Sequence, residues 1–430
     1  MGKYLVIALL FSCIALPAAA AAKDAGQPSW PKADPAAIQR WQDMRFGMFI
    51  HWGPVSLKGT EIGWSRGKAV PIEVYDNLYK EFNPAKFNAD EWVSIAKAAG
   101  MKYLVLTAKH HDGFCLWDTR FTDYNIMHSP FKRDVVKELS QACRKQGIAF
   151  GAYYSVADWY HPGWPATSPG GKVMREKFDL DAYEKYLNNQ IAELITKYGP
   201  LVTIWNDLPQ QYGKRADSMI KLGRKLQPDI LFNNRTGDDG DYLILEQKIG
   251  KFNNTRPWET CMTLCRQSAW KPNDNMKSLK QCIQTLLYCV GGDANLLFNV
   301  GPMPTGEIEP RQVERLKEMG AWMGKYGESV YGTRGGPFLP GNGQVSTHKG
   351  NVVYVHVLKW EKESLVLPPL ERKILKSELL TGGSVDVKQD AKEIAISVPA
   401  ANRQEIDTIV KLQLDGPVGA VPVPDTKGRP

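Results

Sequence analysis

After its first two dozen residues the chain has no unbroken apolar run long enough to cross a bilayer, which argues against a helical membrane span there. Histidine is scarce, with 7 among 430 residues and no His-x-His or His-x3-His spacing, so catalytic zinc is disfavoured. No Gly-x-Ser-x-Gly elbow is present, and serine hydrolysis loses its usual support. No glycine-rich phosphate turn follows the first strand, against a dinucleotide fold. Like charges do not gather in blocks. The net charge of +8 comes from scattered residues, as on a solvated surface, and nucleic acid is not an expected partner. Cysteine is also sparse. Cys13 lies in the leader, and Cys261-x3-Cys265 lacks a second pair at zinc spacing. The six others are expected to be buried and inert, although an oxidising compartment would permit disulfides.

The first 22 residues read as a signal peptide. Lys3 supplies the positive start, Tyr4–Leu16 the apolar stretch, and Ala18–Ala22 the small-residue cleavage region. Export to the periplasm or beyond is expected. A lipoprotein anchor on Cys13 fits its apolar neighbours poorly.

What the chain does have is a recurring arrangement. Apolar runs end abruptly in polar or aromatic residues. Phe46–Ile50 ends in His51-Trp52-Gly53, and Tyr103–Thr107 leads into Lys109-His110-His111-Asp112. Ile148–Ala152 ends in Tyr153-Tyr154-Ser155, Leu201–Ile204 in Trp205-Asn206-Asp207, and Ile230–Phe232 in Asn233-Asn234-Arg235. Amphipathic helices are expected over 90–100, 133–147, 181–199, 216–225, 276–290 and 311–326. Alternating strands and helices require parallel strands. Polar strand ends spread along the chain favour an α/β fold of the (β/α)8 TIM-barrel type, with one mouth lined by many strand ends. The catalytic barrel is expected over 23–335.

Composition changes near the glycine-rich segment 332–343. Short segments at 352–358, 363–367, 374–379, 384–387 and 394–398 follow, bounded by turn residues. They predict a C-terminal antiparallel β-sandwich over 336–418, then an unordered tail over 419–430.

Asp207 is the leading candidate for chemistry. Side chains alternate along a strand, so Trp205 and Asp207 face one way and Asn206 the other. A carboxylate at a strand lip beside an aromatic suits a nucleophile. A glycosidase needs a second carboxyl, and Glu246 and Glu259 both sit among apolar residues that would raise a carboxyl pKa. His110 and His111 face opposite sides of a strand and are poorly placed to share one ion. Hydrogen bonding to substrate hydroxyls is expected of one, and packing of the other.

These motifs resemble the retaining α-L-fucosidases of glycoside hydrolase family 29. The resemblance runs from about Trp41 to Pro337. It rests on Arg45–Gly53, Lys109–Trp117, Trp205-Asn206-Asp207, Pro257–Thr263 and Asn295–Pro302. It implies a barrel followed by a β-sandwich, no cofactor, fucosylated glycans as substrate and Asp207 as nucleophile. By position it also implies fucose contacts from His51, Trp64, His110, His111, Tyr153, Trp205 and Arg235. The acid/base is implied at Glu246, with Glu259 as the alternative. Leu243-Ile244-Leu245 and Leu208-Pro209 depart from the family pattern. An exo-acting α-L-fucosidase is the expectation. A same-family enzyme for α-L-galactosides and a catalytically silent carbohydrate binder are the other readings.

Overall fold

A computed structural model describes residues 30–207, 216–236, 240–341 and 343–423. The leader, Leu208-Pro209 and the end of the tail lie outside these residues. Eight parallel strands form one sheet: β1 (Phe46–Ile50), β2 (Tyr103–Lys109), β3 (Ala149–Ser155), β4 (Thr203–Asp207), β5 (Leu231–Phe232), β6 (Leu243–Glu246), β7 (Trp258–Thr263) and β8 (Asn295–Val300). Their order is β5-β4-β3-β2-β1-β8-β7-β6. The two edge strands meet through a parallel bridge between Asn233 and Tyr242. Asp241 N–H donates to Phe232 O at 2.7 Å and Asn234 N–H to Tyr242 O at 3.0 Å, closing the ring.

The six expected helices are present as Ala89–Ala98, Val135–Gln146, Leu180–Tyr198, Ala216–Leu226, Leu279–Gly291 and Pro310–Tyr326. Their ends follow local chemistry. Asn88, Asp134 and Asp179 accept first-turn N–H groups, and Ser278 with Gln281 forms a capping box. That box starts the fifth helix three residues later than the sequence pattern predicts. β6 and β7, not read as strands from sequence, complete the barrel. Among the described residues no helix is long and apolar enough to cross a membrane.

A further helix, Pro35–Met44, capped by Asp34, precedes β1. It closes the N-terminal end of the barrel. Trp41 packs against Tyr242 at 4.4 Å between ring centroids, and Asn295 Nδ2 donates to the Trp41 carbonyl at 2.8 Å. Along each strand one face fills the barrel and the other packs under the helices. Phe49, Tyr103, Val105, Tyr153, Trp205, Cys261 and Leu297 form the inner cluster. Met48, Leu104, Ala152, Ile204 and Phe298 belong to the outer one.

Beyond the barrel lie β9 (Arg334–Gly335), β10 (Gln344–Lys349), β11 (Val352–Val357), β12 (Ser364–Leu367), β13 (Ile374–Leu379), β14 (Asp386–Gln389), β15 (Ile394–Ser397) and β16 (Thr408–Leu414). They pair antiparallel as a five-stranded sheet, β13-β16-β11-β10-β9, and a three-stranded sheet, β12-β15-β14. Val353, Val355 and Val357 of β11 pack with Ile394 and Ile396 of β15, as their alternation predicts. Tyr354 and Ile409 face the other way, into the barrel's outer core. β9, β10 and β16 are additional to the segments read from sequence. Within 419–423, Val421 packs against the turn at Gly336, and its carbonyl accepts from Asn254 Nδ2 at 2.9 Å. All six cysteines from Cys115 onward are free and buried, as expected.

Candidate active site

The C-terminal strand ends converge on one cavity of about 180 Å³. His51 follows β1, and His110 and His111 follow β2. Tyr153 comes from β3, Trp205 and Asp207 from β4, Arg235 from just after β5, and Glu246 from the end of β6. All eight line the cavity, and Trp64 stands at its rim, 39% exposed. The alternation read for β4 holds: Trp205 and Asp207 point into the barrel, while Asn206 is fully buried on the other side.

Arg235 spans two carboxylates. Its Nη1 donates to Asp207 Oδ1 at 2.6 Å and its Nη2 to Glu246 Oε2 at 2.5 Å. Burial opposes this charge, but Asp207 and Glu246 together raise the guanidinium pKa above its ordinary value. The Arg235 guanidinium also lies 5.2 Å from the Trp205 ring centroid. The Tyr153 hydroxyl donates to Asp207 Oδ2 at 2.8 Å. Burial and then the Asp207 charge hold that phenol well above its ordinary pKa, so it remains a donor.

Burial holds the three histidines neutral. Burial first, then Arg235, keeps His111 well below its ordinary pKa. Ser155 Oγ donates to Ala157 O at 2.6 Å, so it accepts from His111 Nδ1, 2.6 Å away. This leaves His111 Nε2 without a proton, 3.6 Å from Asp207 Oδ2. His51 is set in the same manner. Asn299 Nδ2 donates to Ser268 O at 2.7 Å, which turns its Oδ1 toward His51 Nδ1 at 2.5 Å. Burial lowers the His51 pKa too, so its Nε2 is an acceptor. His110 lies parallel to Tyr153, 5.3 Å between centroids at 8°, and burial followed by its neighbour His111 keeps it uncharged. Two imidazole acceptors and a carboxylate in one cavity suit a ligand rich in hydroxyl donors.

Glu259 is placed differently. The β6–β7 register sets Glu246 opposite Cys261 and Ile244 opposite Glu259. Glu259 therefore lies two residues below the level of Glu246, about 6.6 Å down the barrel. It is 1% exposed and does not line the cavity.

Several lining residues escaped the sequence reading. Glu61 is the most consequential. Its carboxylate accepts from Ser268 N–H at 2.9 Å and Ala269 N–H at 3.0 Å, tying the loop after β7 to the loop after β1. Asn299 was visible only as part of a motif, and its role depends on His51 and Ser268. Conversely, Arg45 and Lys109 are among the motif residues that lie outside the cavity. Arg45 is buried at the N-terminal end of β1, where it pairs with Asp293 at 2.6 Å. Lys109 pairs with Asp158 at 3.0 Å on the outer face of β2. Among the described residues no group of three or more His, Cys, Asp or Glu side chains gathers as a metal ion would need.

The α-L-fucosidase family model matches residues 13–328. Human plasma α-L-fucosidase is 31% identical over 373 residues, covering 77% of this chain and 79% of that protein. The structure of α-L-fucosidase isoenzyme 1 from Paenibacillus thiaminolyticus superposes with a TM-score of 0.81 at 32% identity, covering 88% of this chain and 99% of that one. A GH29 α-L-fucosidase from Bacteroides thetaiotaomicron, trapped as a covalent intermediate with 2-fluoro-fucosyl fluoride, gives a TM-score of 0.81 at 27% identity, covering 89% of this chain and 97% of that one. By sequence and by fold, this chain belongs to the α-L-fucosidase family, glycoside hydrolase family 29.

Proposed function

We propose that the protein is an exo-acting, retaining α-L-fucosidase in which Asp207 is the nucleophile and Glu246 the acid/base. The observation that carries this reading is Arg235, whose single guanidinium holds both carboxylates at the mouth of one cavity. That arrangement supports the short carboxyl separation, about 5–5.5 Å, on which retention depends. Trp205 and Phe49 line the cavity from the inner barrel layer, which favours one terminal sugar over an internal stretch of glycan.

In the first step an Asp207 oxygen forms a bond to the anomeric carbon as the bond to the leaving oxygen breaks. Glu246 gives its proton to that oxygen. Its side chain is 53% exposed, at the solvent side of the cavity, where a leaving group departs. In the second step Glu246 takes a proton from water, whose oxygen attacks the same carbon and releases Asp207. Neutral His51 and His111 accept from ring hydroxyls, and the aromatic walls cover the apolar face and methyl group of the deoxy-sugar.

Hydrolysis of an aryl α-L-fucoside by the wild type, and its loss in Asp207→Ala, tests this directly. A wild type inert on a panel of α-L-fucosides and α-L-galactosides would end the enzymatic reading. Export through a leader ending near Ala20–Ala22 belongs to the same proposal. N-terminal sequencing of protein recovered outside the cytoplasm checks it.

A further inference from the structure

Beneath the cavity runs a polar strut with no part in the chemistry above. We propose that Glu259 is a positioning residue: from the layer below the pocket it fixes Trp205, and through Trp205 the Tyr153–Asp207 pair. This deepens the reading of Asp207 and Glu246 and rests on it.

Both oxygens of Glu259 are engaged. Trp205 Nε1–H lies 2.9 Å from Oε1, and the Tyr103 hydroxyl lies 2.5 Å from Oε2. Trp205 has one polar atom, so this hydrogen bond sets the rotation of its ring. Tyr153 stacks on that ring at 5.4 Å and 22°, and donates in turn to Asp207. The other leg is equally fixed. A Cβ on Gly47 of β1 would lie 2.5 Å from the Tyr103 ring, so glycine at 47 lets Tyr103 press against β1. The result is a strut from β1 and β2, through Glu259 on β7, to Trp205 on β4.

The same placement removes Glu259 from proton transfer to a leaving group. A glycosidic oxygen enters from the strand ends, and the layer of Phe49, Trp205 and Cys261 stands between it and Glu259. Burial raises the Glu259 carboxyl to about 7, against the two donors that lower it. Much of it is therefore uncharged at neutral pH, and a buried charge in the barrel interior is avoided.

Two variants separate the roles. Glu259→Gln keeps an acceptor for Trp205 and an amide for Tyr103. Glu259→Met keeps the volume but accepts nothing. Each is assayed on aryl α-L-fucosides with good and poor leaving groups across pH, with Glu246→Gln in parallel. Glu259→Gln is expected to retain wild-type kcat, leaving-group dependence and pH profile. Glu259→Met is expected to lose about 10²-fold in kcat equally on both substrates, with KM changing less, the scale of a small misplacement of reacting groups. Tryptophan emission should shift in Glu259→Met only. Selective loss on poor leaving groups in Glu259→Gln would overturn the proposal, and so would wild-type kcat in Glu259→Met. Should Glu259→Met fail to fold, Glu259→Gln decides alone. Full activity of Glu246→Gln on poor leaving groups would instead remove Glu246 from its role, a result separate from the Glu259 arms.

Discussion

Tyr153 donates its hydroxyl to Asp207 Oδ2 at 2.8 Å, from the adjacent strand and two residue pairs lower in the parallel register. β3 and β4 thus deliver donor and carboxylate to the same point, which orients the proposed nucleophile before any sugar arrives. A hydrogen bond to a charged group contributes about 1.5–3 kcal/mol. Tyr153→Phe should lower kcat by roughly 10- to 100-fold with little change in KM, measured on an aryl α-L-fucoside.

Asn299 acts at one remove. Its Oδ1 fixes the proton on His51 Nδ1 and so presents Nε2 as an acceptor. Asn299→Ala frees the ring without altering it. A loss of about 1–2 kcal/mol, roughly 5- to 30-fold in kcat/KM, is expected from steady-state kinetics.

Glu259 makes a stability prediction with a definite sign. Its folded pKa, about 7, is above the ordinary 4.5. Its contribution is therefore fully present below about pH 4.5 and is lost as pH rises through 7. Glu259→Gln cannot ionise and escapes this loss. The stability of Glu259→Gln relative to wild type should rise between pH 5 and pH 8, by up to about 3 kcal/mol. Denaturant titrations at the two pH values read it, and a constant difference would place the folded pKa elsewhere.

The cysteines offer a count. All six from Cys115 onward are buried and unpaired, and burial raises the Cys143 and Cys289 thiols to about 12. Reactive thiolate is scarce in such surroundings. An aromatic disulfide reagent should titrate almost no thiol in the native protein and, with the leader removed as proposed, six after denaturation. Seven would mean that Cys13 is retained, and fewer than six would mean a disulfide.

Much of this site was legible because strand ends carry their chemistry in sequence. Asp207 and Trp205 share a face through simple alternation, and His51 and Arg235 each follow an apolar run. Less legible were elements whose polar residues find partners only in three dimensions. β7 buries Glu259 and Thr263 among apolar neighbours, which breaks the apolar run by which strands are recognised, yet Trp205, Tyr103 and Gln247 satisfy both side chains. β6 has four residues, too few for a period. Glu61 sits in a polar loop, and its partners lie 207 and 208 positions away. The helix at 35–44 was signalled by Asp34 before Pro35, a cap and first-turn proline that local prolines masked. What composition does not carry for the two glutamates is register: the pairing of Glu246 with Cys261 sets them at different levels of the barrel.

The central claim is a covalent bond between the sugar and residue 207. Incubation with 2-fluoro-fucosyl fluoride, digestion and peptide mass spectrometry tests it most directly. The account predicts one fluorofucosyl adduct, on the Asp207 carboxylate and absent from Asp207→Ala. A label on any other side chain, or turnover of the reagent with no adduct and an inverted product, would contradict it.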